Sequence, residues 1–401
     1  MLVLLLVVFV NFVGIGALIP VLPYTVIETL GLSATTMTLL LASFAFAMFI
    51  SNPLLGRLSD HVGRRPVLIF SLLVNVLAHI WFALSTDIMQ MFAARILAGL
   101  AAGNTGVIQA MIADRVNPRE RARYMGLFGA AIGTGFVAGP ALGGLFSGLG
   151  EGPLHQAPFL LAAGFGTIAL LLSLRLNERA TKATASIAAK TLLLDRIKIV
   201  FRSELALYTL AFFCLNLSFA QVEASYVLLL RDYLGFGATK TGWLFTYIGV
   251  CIILVQSVLI NLAVRRFGEV GTVAFGASLL LIGQGLTVLM SLGFMAGGNY
   301  PLVQIVTTTT AVCFGFGFSN PALSAAASNA ARKETMGGAL GTVQGFASLG
   351  QVVGLVLAGP LYQLGGAHFP FGLGVCITSL LLVVMIVLKR RPAMQPQYRQ
   401  P

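Results

Sequence analysis

Apolar residues run in long blocks along this chain, and polar residues gather in the short intervals between them. Read from the N-terminus, the blocks predict twelve helices, roughly at 2–23, 34–56, 66–86, 88–112, 124–147, 157–174, 206–230, 241–263, 270–292, 302–328, 337–361 and 370–388. Most approach or exceed the ~20 apolar residues needed to cross a hydrocarbon core of about 30 Å. The longest polar stretch, from Arg175 to Glu204, has six predicted spans on either side. The chain therefore divides into 1–176, a linker at 177–205, a second half at 206–390 and a tail at 391–401.

Composition agrees. Of 401 residues, 57% are hydrophobic and only 9% charged, against about 25% charged in a soluble domain. The net charge of +12 changes the picture more, because it could mark a nucleic-acid binder. Its placement argues otherwise: alternate loops hold 22 of the 25 basic residues, and the opposite loops hold only Arg231 and Lys240. This is the positive-inside bias. It predicts a multi-pass inner-membrane protein with both termini cytoplasmic, whose partner is a lipid bilayer and not a polyanion. The first apolar block begins at Met1 with no basic lead and is too long for a signal peptide core, so it reads as a retained helix.

Cys214, Cys251, Cys313 and Cys376 all fall inside predicted spans, as small buried apolar side chains. The four histidines are scattered, without metal-ligand spacing. No phosphate-binding G-x-x-x-x-G-K-[ST] loop and no G-x-S-x-G elbow occurs. The expectation is a protein that is not an enzyme and carries neither metal nor cofactor.

The halves repeat one another. Gly126, Gly135 and Gly139 recur as Gly341, Gly350 and Gly354 at an offset of 215; Asn104 recurs as Asn320 and Gly63 as Gly268. A duplicated six-helix unit leaves such traces, and it places a substrate site between the halves near the bilayer midplane.

Several short runs carry candidate chemistry. The loop after the second span reads Gly56-Arg57-Leu58-Ser59-Asp60-His61-Val62-Gly63-Arg64-Arg65-Pro66. Gly56 can end a helix, Gly63 permits a turn, and Pro66 can start the next helix. Asp60 and Arg64 put opposite charges where two helices emerge, and Asp114 is a candidate partner for Arg64 or Arg57. Arg95 lies inside the fourth span, where a charge is costly and a role is the default, unless it snorkels to water. Gln109 follows it by 14 residues, nearly four turns, which predicts one shared face. The fifth span carries Gly135, Gly139, Pro140, Gly143 and Gly144, a surface for close helix approach with a kink. Glu223 is the one acidic residue well inside a span. Low dielectric disfavours a bare carboxylate, so a carboxyl group there can trade a proton; a structural, paired glutamate is the alternative. Asn11, Gln109, Asn216, Gln221, Gln256, Asn320 and Gln344 are candidate cavity liners, since polar groups in lipid turn inward.

The Gly-Asp-Gly-Arg loop resembles the main signature of the major facilitator superfamily. That resemblance implies an all-α membrane fold of twelve helices in two pseudo-symmetric six-helix bundles, usually monomeric, and a gating role for Gly56, Asp60, Gly63, Arg64 and Arg65. Arg95 followed by Gly99 resembles the family's second signature, associated with proton transfer. The run Gly135-x-x-x-Gly139-Pro140-x-x-Gly143-Gly144 resembles the antiporter signature of drug/proton exporters. Gly14-Ile15-Gly16-Ala17-Leu18-Ile19-Pro20-Val21-Leu22-Pro23, with the stretch from Arg95 to Gly144, is similar to the tetracycline-efflux branch. The resemblance implies export of small, largely apolar or amphipathic molecules in exchange for protons, with the proton gradient as energy source. One departure stands out: that branch has an aspartate in span one where this chain has Asn11. The departure leaves open a uniporter or an exporter of a dedicated metabolite, sugar or lipid; a non-transporting membrane receptor or enzyme is the reading from another class.

Overall fold

A computed structural model describes residues 1–116, 120–147, 156–176, 205–293, 301–330 and 336–390. The predicted linker at 177–204 and tail at 391–401 lie outside the described residues. The described chain is almost wholly helical: α1 (Leu2–Gly16), a π-helical turn (Tyr24–Thr29), α2 (Ala34–Val62), α3 (Arg64–Leu84), α4 (Ile88–Ala102), α5 (Thr105–Arg115), α6 (Arg121–Phe146), α7 (Gln156–Leu174), α8 (Leu205–Leu234), α9 (Ala238–Leu254), a second π segment (Val255–Leu259), α10 (Ile260–Ser291), α11 (Pro301–Ala330), α12 (Met336–Gly365) and α13 (His368–Arg390). Ten of these stretches are long and apolar enough to cross a membrane, and the shorter α1 is equally apolar.

Three predicted boundaries differ for physical reasons. Helix α2 runs straight through Gly56 and stops seven residues later at Gly63, whose φ of 105° only glycine adopts without strain. The fourth span is two helices, α4 and α5, with the break at Gly103–Asn104. A side chain at Gly103 would meet the backbone nitrogen of Asn52 at 2.7 Å, and Asn104 donates to the Ser71 hydroxyl at 2.9 Å. The eighth span passes through the π segment, and α10 turns at Gly268 (φ 69°) before forming the ninth span.

Each half packs as a bundle. In the first, α1 lies against α6 and α7, α3 against α7 and α4, and α2 against α4; in the second, α8 lies against α12 and α13, and α10 against α11 and α13. Two seams join the halves, α6 with α9 and α2 with α12. Counting α6 as span five and α12 as span eleven, a six-span shift turns one seam into the other.

The glycine repeat is the physical basis of this symmetry. A side chain at Gly139 would sit 2.6 Å from the Val13 carbonyl of α1, and one at Gly354 would sit 2.7 Å from the Leu217 carbonyl of α8. Gly144 meets Gly242 of α9 across one seam, and Gly359, 215 residues on, meets Ala34 and Thr35 of α2 across the other. Only hydrogen at Cα allows backbones this close.

The seam contacts gather at the end opposite the Gly63 and Gly268 turns. There Tyr24 donates to the Phe236 carbonyl and pairs with the Thr241 hydroxyl, both at 2.7 Å, and Thr35 donates to Gln363 at 2.6 Å. On the same end Tyr362 donates to Asp232 at 2.5 Å. Alanines 42 and 45 of α2 pack with Ala220 and Ala224 of α8 and with Val352, Leu355 and Ala358 of α12. The Tyr24 end is closed.

Candidate functional site

At the Gly63 end, Arg64 holds Asp114 of α5 at 2.5 Å and Asp60 at 3.4 Å. Of the two partners weighed for Asp114, the one it meets is Arg64. Arg65 donates to the Leu174 carbonyl at the end of α7 at 2.7 Å. These ties join α2, α3, α5 and α7 of the first bundle. The pairs are partly exposed and each is worth about 0–1 kcal/mol, so they bias conformations without locking them. The second bundle has the counterpart tie, Asn329 to Glu269 at 2.8 Å, just after Gly268.

The glycines of α6 divide between two jobs. Gly135, Gly139 and Gly143 press on Phe9, Phe12, Val13 and Ala17 of α1. Gly144 presses on α9 in the other half, where the Pro140 carbonyl also approaches Gly242. The run that resembles the antiporter signature therefore fixes both the packing of span one and a seam between halves.

Arg95 does not snorkel: it is 5% exposed, beneath the Phe44 ring of α2 at 4.4 Å. A guanidinium over an aromatic face is held by cation–π attraction of about 0.5–2 kcal/mol. Its Nε has no hydrogen-bond partner. In the other half, Glu223 of α8 is half-buried and accepts from Gln351 of α12 at 3.1 Å. Arg95 and Glu223, 128 residues apart in sequence, lie inside spans of opposite halves. Gln109, on α5 beyond the break at Gly103–Asn104, is exposed, whereas Arg95 on α4 is buried.

The candidate liners separate into bonded and open groups. Asn11 is 3% exposed and accepts from Asn75 of α3 at 3.1 Å. Gln221 is fully buried and donates to the Gly354 carbonyl at 2.8 Å. Asn216 and Asn320 are half-buried, and Asn216 donates to the Phe212 carbonyl at 2.9 Å. Gln256, in the π segment, and Gln344 are exposed. Of the cysteines, Cys376 is exposed on α13, the other three are buried, and all four are free. Among the described residues no cluster of three or more His, Cys, Asp or Glu could hold a metal.

Sequence reasoning missed Asn75, His79 and Gln351 as site residues. His79 Nδ1 donates to the Asn75 carbonyl at 2.7 Å, and its ring lies 6.2 Å from that of Phe159 of α7. The available signal was two polar residues four apart on an otherwise apolar helix, which places both on one face.

Twelve spans in two bundles related by a six-span shift define a membrane transport fold. The Major Facilitator Superfamily model matches residues 4–317, and the chain belongs to that family of transporters, whose members are transport proteins and not enzymes. It is 28% identical to the tetracycline resistance protein, class H, of Pasteurella multocida, over 97% of this chain and 96% of that one. It is 30% identical to multidrug resistance protein 2 of Bacillus subtilis, over 91% of this chain and 88% of that one. The human organic anion transporter MFSD10 (TETRAN) shares the fold, with a TM-score of 0.72 at 22% identity, covering 96% of this chain and 98% of that chain.

Proposed function

We propose that this protein exports small, largely apolar or amphipathic molecules in exchange for protons, by alternating access. The carrying observation is the placement of two ionisable side chains inside spans of opposite halves, Arg95 buried under the Phe44 ring and Glu223 bonded to Gln351. The named relatives, resistance proteins for tetracycline and for multiple drugs, support the direction of transport. The basic-loop bias supports a cytoplasmic Gly63 end and cytoplasmic termini. In that orientation the closed Tyr24 end faces outward.

Glu223 as carboxylate attracts Arg95 and helps hold the outer end shut. A proton on Glu223 removes that attraction, and cargo entering from the cytoplasm competes for the same surroundings. Proton and cargo then occupy the carrier alternately, which is antiport. Asp60, Arg64 and Asp114 bias the swing at the inner end, while Gly139, Pro140 and Gly144 shape the seam. Asn216, Gln256, Asn320 and Gln344 line the path, with Gln109 on the same route. The protein works as a monomer and draws on the proton gradient without a cofactor.

The test is dye efflux from proteoliposomes, with and without an inward proton gradient, for wild type and Glu223→Gln. Gradient-driven efflux that the variant abolishes is the expected result. A variant matching wild type makes Glu223 structural. Asn11, in place of a span-one carboxylate, favours a second reading, a uniporter or dedicated exporter without proton coupling. Wild-type efflux indifferent to the gradient selects that reading.

A further inference from the structure

The polar group the transport scheme leaves unused is His79. It is 3% exposed in the middle of the first bundle. Its Nδ1 proton is committed to the Asn75 carbonyl. In a neutral ring this leaves the Nε2 lone pair as the free end, and Nε2 is enclosed with no hydrogen-bond partner. A buried acceptor left unpaired costs about 1–3 kcal/mol, so the position is either wasteful or in use. Its surroundings point to use. Arg95, from α4 of the same bundle, likewise keeps an enclosed Nε without a partner. Asn75, on its own helix, connects through its side chain to Asn11 of α1, and α7 contributes the apolar face of Phe159.

We infer that His79 is a second proton-accepting group of the transporter, serving the half of the chain in which Asn11 cannot carry a proton. The inference rests on the antiport reading above. The step is a plain proton transfer. A proton from the outer water forms an N–H bond at Nε2 when the carrier opens outward, and that bond breaks to the inner water after the swing. No electron is exchanged. Arg95 couples the two sites. A carboxylate at Glu223 draws on the charge of Arg95 and eases the imidazolium, whereas cargo that displaces this attraction drives the proton off. The Asn75 carbonyl holds the ring in the one tautomer that aims its basic nitrogen into the enclosed space.

The experiment uses the full chain in proteoliposomes, with ethidium as probe and entrapped pyranine reporting protons. Wild type, Glu223→Gln, His79→Gln and His79→Asn are compared. His79→Asn keeps an amide donor near the Asn75 carbonyl but cannot take a proton. Both His79 variants are expected to exchange ethidium for ethidium without a gradient at wild-type rates. Each is expected to move one proton fewer per dye than wild type. The steady-state dye ratio then falls about tenfold for each pH unit of gradient, because 1.4 kcal/mol is one decade. An unchanged proton-to-dye ratio in His79→Asn overturns the inference and leaves His79 a structural donor, while the effect of Glu223→Gln still judges antiport by itself. Wild-type efflux indifferent to the gradient removes both readings. If neither His79 variant exchanges dye, histidine-labelled wild type is followed by nitrogen NMR at fixed pH. An enclosed ring that passes from imidazolium to neutral on adding ethidium supports the inference, and a ring that stays in one state overturns it.

Discussion

Each half of this transporter carries a buried polar knot at equivalent places, and the two are finished differently. In the second half Gln284 of span nine donates to the Ser218 hydroxyl at 2.9 Å, while Thr378 of span twelve donates to Gln284 at 3.0 Å and pairs with Ser218 at 2.6 Å. Both ends of the Gln284 amide are used. In the first half, the counterpart spans one and three supply Asn11 and Asn75, joined by a single bond. There the Asn75 side-chain oxygen Oδ1, His79 Nε2 and Arg95 Nε are all enclosed without hydrogen-bond partners. A satisfied network rigidifies, and a partly satisfied one carries a standing cost of desolvation. The Gln284 knot is therefore clasped shut, while the Asn75 knot keeps unpaired polarity.

The strongest way to break this comparison is Arg95→Met. It removes a buried cation held under the Phe44 ring, a contact of about 0.5–2 kcal/mol, in the half opposite Glu223. Gradient-driven dye efflux should drop at least a hundredfold, with dye binding measured by fluorescence as the control for folding. Next come Gly139→Ala and Gly354→Ala, which insert the same methyl against α1 and α8. If the halves share one packing design, each costs about 1–3 kcal/mol from overpacking, and their thermal midpoints should match; a large inequality would sink the symmetry argument. Gln284→Ala opens the clasped knot and should cost about 1–3 kcal/mol of stability, read as a lower melting temperature with transport per folded molecule unchanged. Asn75→Ala should be mildest on stability, about 0.5–1.5 kcal/mol, yet slow gradient-driven efflux more than Gln284→Ala does. Reversal of that order would remove the distinction between a clasp and a working site.

Much of this was legible in the chain. Hydropathy located the spans within a few residues, because a span in lipid must satisfy its backbone internally and stay apolar for its whole length. The offset of 215 between glycines had a geometric cause, since Gly139 and Gly354 admit equivalent neighbours. The span carrying Arg95 and Gln109 read as one helix because ideal periodicity ignores a break, and the break at Gly103–Asn104 is made by contacts with Asn52 and Ser71, about 50 and 33 residues away. Glu223 stood out as a lone acid, but Gln351 did not stand out as its partner. No spacing rule relates residues on helices that meet only after two bundles have docked. His79 was invisible for a similar reason: one histidine on an apolar helix has no meaning until Asn75, Arg95 and Phe159 surround it.

Helix α2 also has a mechanical consequence. It is 29 residues long, and its close approaches to the other half lie between Ala34 and Phe49. The rest, to Val62, extends beyond the seam as an arm of the first bundle, roughly 20 Å long at about 1.5 Å per residue. With the glycine seam as fulcrum, a rocking of roughly 10° moves the arm's tip by roughly 3–4 Å, while the seam itself barely shifts. Leverage of this kind makes the tip the place where a small swing reads largest. A spin-label pair at Leu58 and Gln344, both exposed, would report the motion with more gain than any pair beside the charges that drive it.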